Sequence, residues 1–271
     1  GVLLDARSLS EAQMQAIAAE LGFSETAFIL PEKPAQHRVR FFTPNKEVNL
    51  CGHATIASYY LMQHLECIEE GQFAMGTLAG EQRVTVDKSG LIGMTQNLPA
   101  FGETLPGQEV ASALGLSLDA LGDLASLPIQ IASTGLNKIF VPVASLSGLQ
   151  SIQPNLDEID RISRKHDAIG MYCYCLETLH GSTAHCRNFA PVVGISEDSA
   201  TGTSAAALSC VLYRYGQVGS EASLQLVYEQ GYSIEKPSEL HVLLKVTNDA
   251  ISEVEVAGRA TLREVRELNL N

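Results

Sequence analysis

The sequence lacks any apolar run of about 18 or more residues, which is the length that a membrane-spanning helix needs. It is also poor in basic residues, with 18 Lys and Arg against 31 Asp and Glu, so the formal net charge is −13. So much negative charge repels phosphate backbones and anionic lipid. Composition therefore excludes a transmembrane helix and argues against nucleic-acid and membrane-surface partners. A small anionic substrate stays compatible with a locally positive pocket.

The six cysteines form no Cys-x-x-Cys pair, and the histidines have no zinc-ligand spacing, so we predict no metal site. Cys173 and Cys175 lie in an apolar run typical of a strand, where both would point to the same face as ordinary small core residues. The chain opens without the basic and apolar segments of a signal peptide and without an initiator Met. We expect a cytoplasmic protein with reduced thiols and a truncated or processed N-terminus.

Local patterns predict a mixture of helices and antiparallel strands over 271 residues that are 45% apolar. Ser10 opens a capping box and Gly22 is placed to end the helix that follows. Two prolines, two glycines and no periodicity make residues 97–108 the best linker candidate. Further helices are predicted at 54–65, 109–122, 155–166 and 202–215, and strands at 27–30, 38–42, 82–87, 91–96, 129–133, 138–143, 168–177, 182–189, 224–228, 240–246 and 253–256.

One pattern occurs twice along the chain. Each copy consists of a strand, a Phe-x-Pro turn, an acidic residue, a loop of small residues and a helix. The copies are Arg40-Phe41-Phe42-Thr43-Pro44 with Glu47 and Cys51-Gly52-His53-Ala54-Thr55, and Arg187-Asn188-Phe189-Ala190-Pro191 with Glu197-Asp198 and Ala200-Thr201-Gly202-Thr203. Two copies about half a chain apart predict duplicated half-domains that face each other.

The two loops suggest a chemistry of proton transfer. Gly52 and Gly202 each start a helix, where unpaired N–H groups and partial positive charge suit a carboxylate or a developing oxyanion. Glu47 and Asp198, just upstream, could then remove a proton from one side of a carbon and return one on the other. At least one of the two carboxyl groups would need a raised pKa for this work.

Each of these residues also has a purely structural interpretation. Glu47 could be an ordinary surface acid, and Asp198 could be the N-cap of the helix that begins near Thr201. His53 could donate to a backbone carbonyl, and Cys51 could be a small buried filler. The presence of both loops together weakens these alternatives.

Three stretches, in this order, resemble the PhzF-like family, which is named for a phenazine-biosynthesis isomerase. They are Ser24-Glu25-Thr26-Ala27-Phe28, Arg40-Phe41-Phe42-Thr43-Pro44 through Glu47 to Cys51-Gly52-His53-Ala54-Thr55, and Glu197-Asp198-Ser199-Ala200-Thr201-Gly202. The opening stretch, Gly1 to Ala6, is similar to the segment after that family's Gly-Asn-Pro turn, so we expect the first strand to be missing. The resemblance otherwise covers essentially the whole chain.

The resemblance implies an α+β, diaminopimelate epimerase-like fold of two pseudo-symmetric halves. Each half would be a curved, mainly antiparallel sheet around a central helix, with the site in the cleft. We place the halves at 1–103 and 104–250, with 251–271 as a C-terminal segment that packs back on the first half. The resemblance further implies a homodimer that uses no cofactor.

The resemblance also implies roles for individual residues. It places the proton-shuttling acid on Glu47, with His53 and Asp198 as further catalytic groups. Substrate-binding positions are Gly52, Cys51, Thr201, Gly202 and Thr203. Ser199 and Thr203 stand where the family commonly has Pro and Ser, and neither difference removes a proposed chemical role.

Three functions follow as hypotheses. The first is an isomerase that shifts a proton within a small carboxylate, with Glu47 as carrier. The second is an amino-acid racemase or epimerase that uses Cys51 and Asp198, since proline-racemase-like relatives of this fold use a cysteine in each loop. The third is a non-catalytic protein that binds small molecules with the same fold.

Overall fold

The computed structural model describes residues 1–33 and 36–267 and divides into two compact units. Unit 1 comprises the described residues of Gly1–Thr95 and Ala257–Asn271, and unit 2 comprises Gln96–Val256. The predicted divisions at 103/104 and 250/251 fall near these but stay a prediction. None of the helices among the described residues is long and apolar enough to cross a membrane.

Unit 1 is a sheet with two helices. Its strand order is β1-β2-β3-β5-β6-β7, and the short strand β4 pairs with β3. The elements in chain order are β1 Val2–Leu3, α1 Glu11–Leu21, β2 Thr26–Lys33, β3 Gln36–Phe42, β4 Glu47–Val48, α2 Gly52–His64, β5 Gly71–Thr77, β6 Gly80–Val86 and β7 Ile92–Gln96.

Helix α1 begins and ends where its sequence predicts. The Ser10 hydroxyl accepts from the backbone of Gln13, the Gln13 side chain accepts from the backbone of Ser10, and Gly22 closes the helix in the left-handed conformation, with φ 65°. The capping box and the C-terminal glycine are therefore confirmed.

Unit 2 repeats this arrangement and adds to it. Its strand order is β16-β15-β14-β12-β11-β10-β9-β8, and the short strand β13 pairs with β12. The elements in chain order are β8 Ala100–Leu105, α3 Gly107–Ala113, β9 Ile129–Ser133, β10 Lys138–Pro142, α4 Leu146–Gln150, α5 Leu156–Lys165, β11 Met171–Cys175, β12 Ala184–Ala190, β13 Ile195–Asp198, α6 Gly202–Arg214, β14 Ser223–Gln230, β15 Ser238–Thr247 and β16 Ala250–Gly258.

Pairing directions show that the two sheets are copies of one topology. The pair β1–β2 is parallel, as is β10–β11, and the pair β2–β3 is antiparallel, as is β11–β12. The pair β3–β5 is parallel, as is β12–β14, and both continue into an antiparallel neighbour. Helices α2 and α6 follow β4 and β13 in the same way. The duplication predicted from the repeated pattern is confirmed.

The central helix of unit 2 is buried on all sides over most of its length. Residues 204–212 are all buried, and three consecutive alanines, Ala205, Ala206 and Ala207, give the helix a slim body. Strands of unit 2 supply the packing partners, among them Phe140, Tyr172, Tyr174, Tyr228, Leu244 and Val254. Such burial on every face fixes the helix along its axis, so its first turn is firmly placed.

Two local predictions, and one of the structural alternatives, are wrong. Residues 100–105 of the expected linker form the edge strand β8, because an edge strand tolerates the flanking prolines and glycines. The helix expected at 109–122 ends at Ala113, and Gly115 follows with φ 68°. Asp198 does not cap α6, because it ends β13 and Thr201 occupies the N-cap position.

Candidate functional site

Glu25, Cys51 and His53 come together in unit 1, and we call them the Glu25 cluster. Glu25 precedes β2, Cys51 is the N-cap of α2, and His53 lies in the first turn of that helix. The Cys51 sulfur lies 3.6 Å from each ring nitrogen of His53, and His53 Nε2 lies 2.9 Å from Glu25 Oε2. Cys51 makes no capping bond to the helix within the described part of the chain, so its thiol faces the histidine.

The charges in the Glu25 cluster support one another. The Cys51 thiol and the Glu25 carboxylate raise the pKa of His53 to about 10. His53 in turn is the main reason that the pKa of Glu25 is lowered. At neutral pH the pair is therefore an ionised carboxylate beside an imidazolium. A base and a hydrogen-bond donor of opposite charge thus stand side by side.

Glu47, the predicted proton carrier, lies in a different environment. It sits on β4 opposite Phe42, and both of its carboxylate oxygens accept from Arg40, from Nε and Nη2 at 2.6 Å each. The Arg40 guanidinium also reaches Glu11 at 2.7 Å and lies over the Phe42 ring, 5.1 Å from its centroid. A bidentate pair of this kind occupies a lone pair on each carboxylate oxygen, where a base would take up its proton.

Unit 2 contains the counterpart of the Arg40–Glu47 pair. Arg187 Nε and Nη2 donate to the two oxygens of Glu197 at 2.9 and 2.8 Å, and the guanidinium lies 5.0 Å from the centroid of the Phe189 ring. The structure therefore matches Glu47 with Glu197, not with Asp198. The shared position, partner and ring contact indicate that both pairs join a strand to the short strand beside it.

Asp198 belongs to a polar network around the loop that leads into α6. It accepts from the Thr201 hydroxyl, and Asn188 Nδ2 donates to the same hydroxyl oxygen at 2.8 Å. Gln230 Nε2 donates to the Asp198 carbonyl at 2.8 Å, while Gln230 Oε1 accepts from Tyr172 at 2.8 Å. Gln230 and Tyr172 are fully buried, so the loop is held by a rigid network.

Two residues at the start of α6 complete this region. Thr203 is exposed in the first turn, and its carbonyl accepts from the Thr134 hydroxyl at 3.2 Å. Gly202 is required by close packing, because a Cβ atom there would lie 2.7 Å from Val256 Cγ1. In unit 1 the corresponding Gly52 is less constrained, with Met94 Cε 3.6 Å from the position of a Cβ atom.

Lys138 is a charged residue in unit 2 that the sequence patterns do not single out. Its side chain is buried, and its amine has no hydrogen-bond partner within the residues that the structure describes. Burial lowers its pKa to about 8, against the opposing influence of the negative charge of Asp198. An amine in this state is uncharged in part at mildly alkaline pH.

The structure brings some of the predicted site residues together and separates others. His53 contacts Cys51, and Asp198 contacts Thr201, whereas Glu47 contacts Arg40. Glu25 was not predicted, although it lies in Ser24-Glu25-Thr26, one of the stretches on which the resemblance rests. Position next to the helix start, which only the fold reveals, is what distinguishes it from other surface acids.

Comparison with known proteins identifies the family. The profile described as "Phenazine biosynthesis-like protein" matches residues 1–265. The chain belongs to this PhzF family. Its relatives include the "Uncharacterized isomerase YddE" of Escherichia coli K12, which is 32% identical over 97% of this chain and 90% of its own length.

A second relative carries a specific name. The trans-2,3-dihydro-3-hydroxyanthranilate isomerase of Pseudomonas chlororaphis is 30% identical over 95% of this chain and 88% of its own length. The chain is therefore an isomerase of the PhzF family, and the non-catalytic hypothesis is set aside.

Solved structures agree with the fold. A PhzF-family phenazine biosynthesis protein of Bacillus anthracis has a TM-score of 0.83 and 30% identity, over 96% of this chain and 89% of that one. A hydroxyproline epimerase of Agrobacterium vitis has a TM-score of 0.56 and 14% identity, over 93% of this chain and 79% of that one. The diaminopimelate epimerase-like fold is confirmed.

Proposed function

We propose that this isomerase moves a proton within a small carboxylate-bearing substrate by general acid/base catalysis, with Glu25 as the base and His53 beside it. The observation that carries the proposal is the contact of 2.9 Å between His53 Nε2 and Glu25 Oε2. An ionised carboxylate can take a proton from carbon, while the imidazolium stabilises the negative charge that develops on the substrate. Returning the proton to a second carbon completes the isomerisation with no net change in redox state.

The two acids differ in how free their oxygens are. Both oxygens of Glu47 are engaged by Arg40, and its side chain is 16% exposed. Glu25 is paired through Oε2 with Nε2 of one imidazole, that of His53, at 2.9 Å. Glu47 as the proton carrier stays a prediction. Its bidentate ion pair with Arg40 favours Glu25 as the base instead.

The substrate class rests on charge and on a relative. The first turns of α2 and α6 offer backbone N–H groups at Gly52 and Gly202, which suit a carboxylate. We assign substrate contacts to these glycines and to Cys51, Thr201 and Thr203, with Asp198 as a further acid/base group. The Pseudomonas chlororaphis relative is named for an anthranilate, which is itself a carboxylate.

Deuterium uptake from solvent tests the base. The purified protein and its Glu25→Gln and Glu47→Gln variants are incubated in D2O with trans-2,3-dihydro-3-hydroxyanthranilate and a panel of small carboxylates. Mass spectrometry then measures the deuterium content of each product. We expect the protein and Glu47→Gln to incorporate deuterium at one carbon, and Glu25→Gln to lose at least a hundredfold in rate. A fully active Glu25→Gln variant together with an inactive Glu47→Gln variant would return the role to Glu47.

Racemisation of an amino acid through Cys51 and Asp198 is a second candidate. The contact of 3.6 Å between Cys51 and His53 favours it, because a histidine beside a thiol can exchange a proton with it during catalysis. Polarimetry with proline, hydroxyproline and diaminopimelate checks it. Inversion that a Cys51→Ser variant abolishes would support this candidate, and inversion that the variant retains would contradict it.

The cellular setting follows the resemblance to the family. We propose a cytoplasmic homodimer that works without a cofactor. Light scattering on the eluting protein gives its mass in solution. Metal and cofactor analysis of the active protein shows whether it carries a cofactor. A monomeric mass, or activity that disappears on dialysis and returns with a cofactor, would contradict these proposals.

A further inference from the structure

Three different metal-binding atoms converge in the Glu25 cluster. The Cys51 sulfur, a ring nitrogen of His53 and a carboxylate oxygen of Glu25 all lie within 4.8 Å of one another. They come from two separate segments of the chain, since Glu25 precedes β2 whereas Cys51 and His53 open α2. Spacing along the sequence therefore does not reveal them as a set.

The distances suit a tetrahedral ion. With zinc–ligand bonds of about 2.0–2.3 Å, two ligand atoms of a tetrahedral site lie about 3.3–3.6 Å apart. The sulfur is 3.6 Å from each His53 nitrogen, and Nε2 is 2.9 Å from the Glu25 oxygen. Opening the last distance by about half an ångström, by rotation of the exposed His53 ring, would bring it into this range. The ligand atoms of Cys51 and Glu25 lie within 4.8 Å of each other.

The atoms are also available to an ion from solvent. Each carboxylate oxygen carries two lone pairs, so Glu25 Oε2 can bind an ion although His53 Nε2 lies 2.9 Å away. The His53 side chain is 62% exposed, which leaves a path to the site from bulk water. A ligand set of thiolate, imidazole and carboxylate binds zinc in preference to magnesium or calcium.

We propose that Glu25, Cys51 and His53 bind one Zn²⁺ ion and that the bound ion inhibits the isomerase. The inhibitory part rests on the proposed function, because the ion would take the lone pairs of Glu25 and Cys51 and replace the imidazolium of His53 with a metal-bound ring. Three protein ligands leave a fourth position for water. The ion blocks proton transfer at the place where it binds.

Binding is tested without reference to activity. The chelator-treated protein is titrated with Co²⁺, whose bond to a thiolate gives a near-ultraviolet absorption band, and with Zn²⁺ by calorimetry. We expect one ion per chain, a cobalt–thiolate band that zinc displaces, and at least tenfold weaker binding in both Cys51→Ser and Glu25→Gln. Cys67→Ser is the matched control, since Cys67 is exposed and outside the cluster, and it should bind like the unaltered protein.

Two results would overturn the site: the absence of a cobalt–thiolate band, or equal affinity in Cys51→Ser and the unaltered protein. Turnover is then measured by deuterium uptake with and without zinc. Inhibition that chelation reverses supports the second half of the proposal. Normal turnover with zinc bound one to one would leave the site standing and would instead contradict both the inhibition and the role of Glu25.

Discussion

Arg187 and Glu197 form a bidentate ion pair that is almost entirely buried, with side chains 8% and 10% exposed. The same guanidinium donates through Nη1 to the carbonyls of Leu149 and Ile152, at 3.2 and 3.1 Å. Its Nε, Nη1 and Nη2 groups thus all donate to acceptors that the fold holds in place. Loss of the carboxylate would leave a buried positive charge without its counter-ion.

Glu197→Gln should therefore destabilise the protein strongly. We expect the free energy of unfolding to fall by about 3 kcal/mol, because an uncompensated buried charge is costly. Glu47→Gln is the matched variant in unit 1 and should cost less, since Arg40 is more exposed and keeps Glu11 as a partner. Urea denaturation measures both. Equal costs for the two variants would contradict the difference in burial on which this prediction rests.

His53 should remain an imidazolium well above neutral pH. Cys51 first and Glu25 second raise its pKa from 6.5 to about 10. Because the folded value is the higher one, this interaction stabilises the fold fully below pH 6.5 and is lost as the pH rises through about 10. Nuclear magnetic resonance of the ring protons measures the titration directly, and Cys51→Ser should lower the pKa.

Stability gives a second measurement of the His53 titration. The difference in unfolding free energy between the protein and His53→Gln should shrink as the pH is raised from 6.5 towards 10. A ring that titrates near 6.5, or a difference that stays constant over this range, would show that the thiol and the carboxylate do not act on it.

Lys138 should make stability rise with pH on the alkaline side. Its pKa is about 8 in the fold and 10.5 when unperturbed, so between these values the unfolded chain holds more protons than the folded one. Below about pH 8 the full cost of burying the ammonium is present. Lys138→Met should stabilise the protein at pH 7 by about 1–3 kcal/mol, and this gain should disappear near pH 10.5.

Thermal and urea unfolding of Lys138→Met across this pH range give the measurement. Lys165→Met, at the exposed end of α5, is the control and should change stability little. A Lys138→Met variant that is less stable than the unaltered protein at pH 7 would mean that attraction to Asp198 exceeds the cost of burial.

The two glycines that open α2 and α6 should respond differently to alanine. Gly202→Ala places a methyl group 2.7 Å from Val256 Cγ1, so we expect a loss of about 1–3 kcal/mol and a displaced first turn of α6. Gly52→Ala meets Met94 at 3.6 Å, an ordinary contact, and should change stability by about 0.5 kcal/mol or less. Restoration of stability by Val256→Ala in the Gly202→Ala background would identify the clash, and no restoration would contradict it.

Local chemistry along the chain predicts much of this fold. Ser10 and Gly22 mark the limits of α1, and the repeated pattern around Arg40 and Arg187 predicts the duplication. Strand β5 and the edge strand β8 are not predicted in this way. Strand β5 contains two glycines and an alanine, and β8 has the composition of a linker. Their strand conformation depends on the neighbours with which they pair.

The candidate site is harder to predict for the same reason. Glu25 and His53 are 28 positions apart, and nothing in their spacing signals that β2 and α2 bring them within 2.9 Å. Glu47 is close to the Cys51-Gly52-His53 loop along the chain, yet its side chain turns to Arg40. Proximity in sequence to this loop selects Glu47, whereas proximity in space to His53 selects Glu25. The spatial proximity depends on how the strands pair.

Unit 1 is discontinuous along the chain, and this affects the order in which the protein can be completed during synthesis. Arg259 donates to the carbonyl and the hydroxyl of Ser89, 170 residues earlier, and so fixes the turn between β6 and β7. The ribosome releases Arg259 only after it has made the whole of unit 2. Unit 1 is thus begun first and completed last. Until Arg259 has been synthesised, its β6–β7 turn lacks these hydrogen bonds.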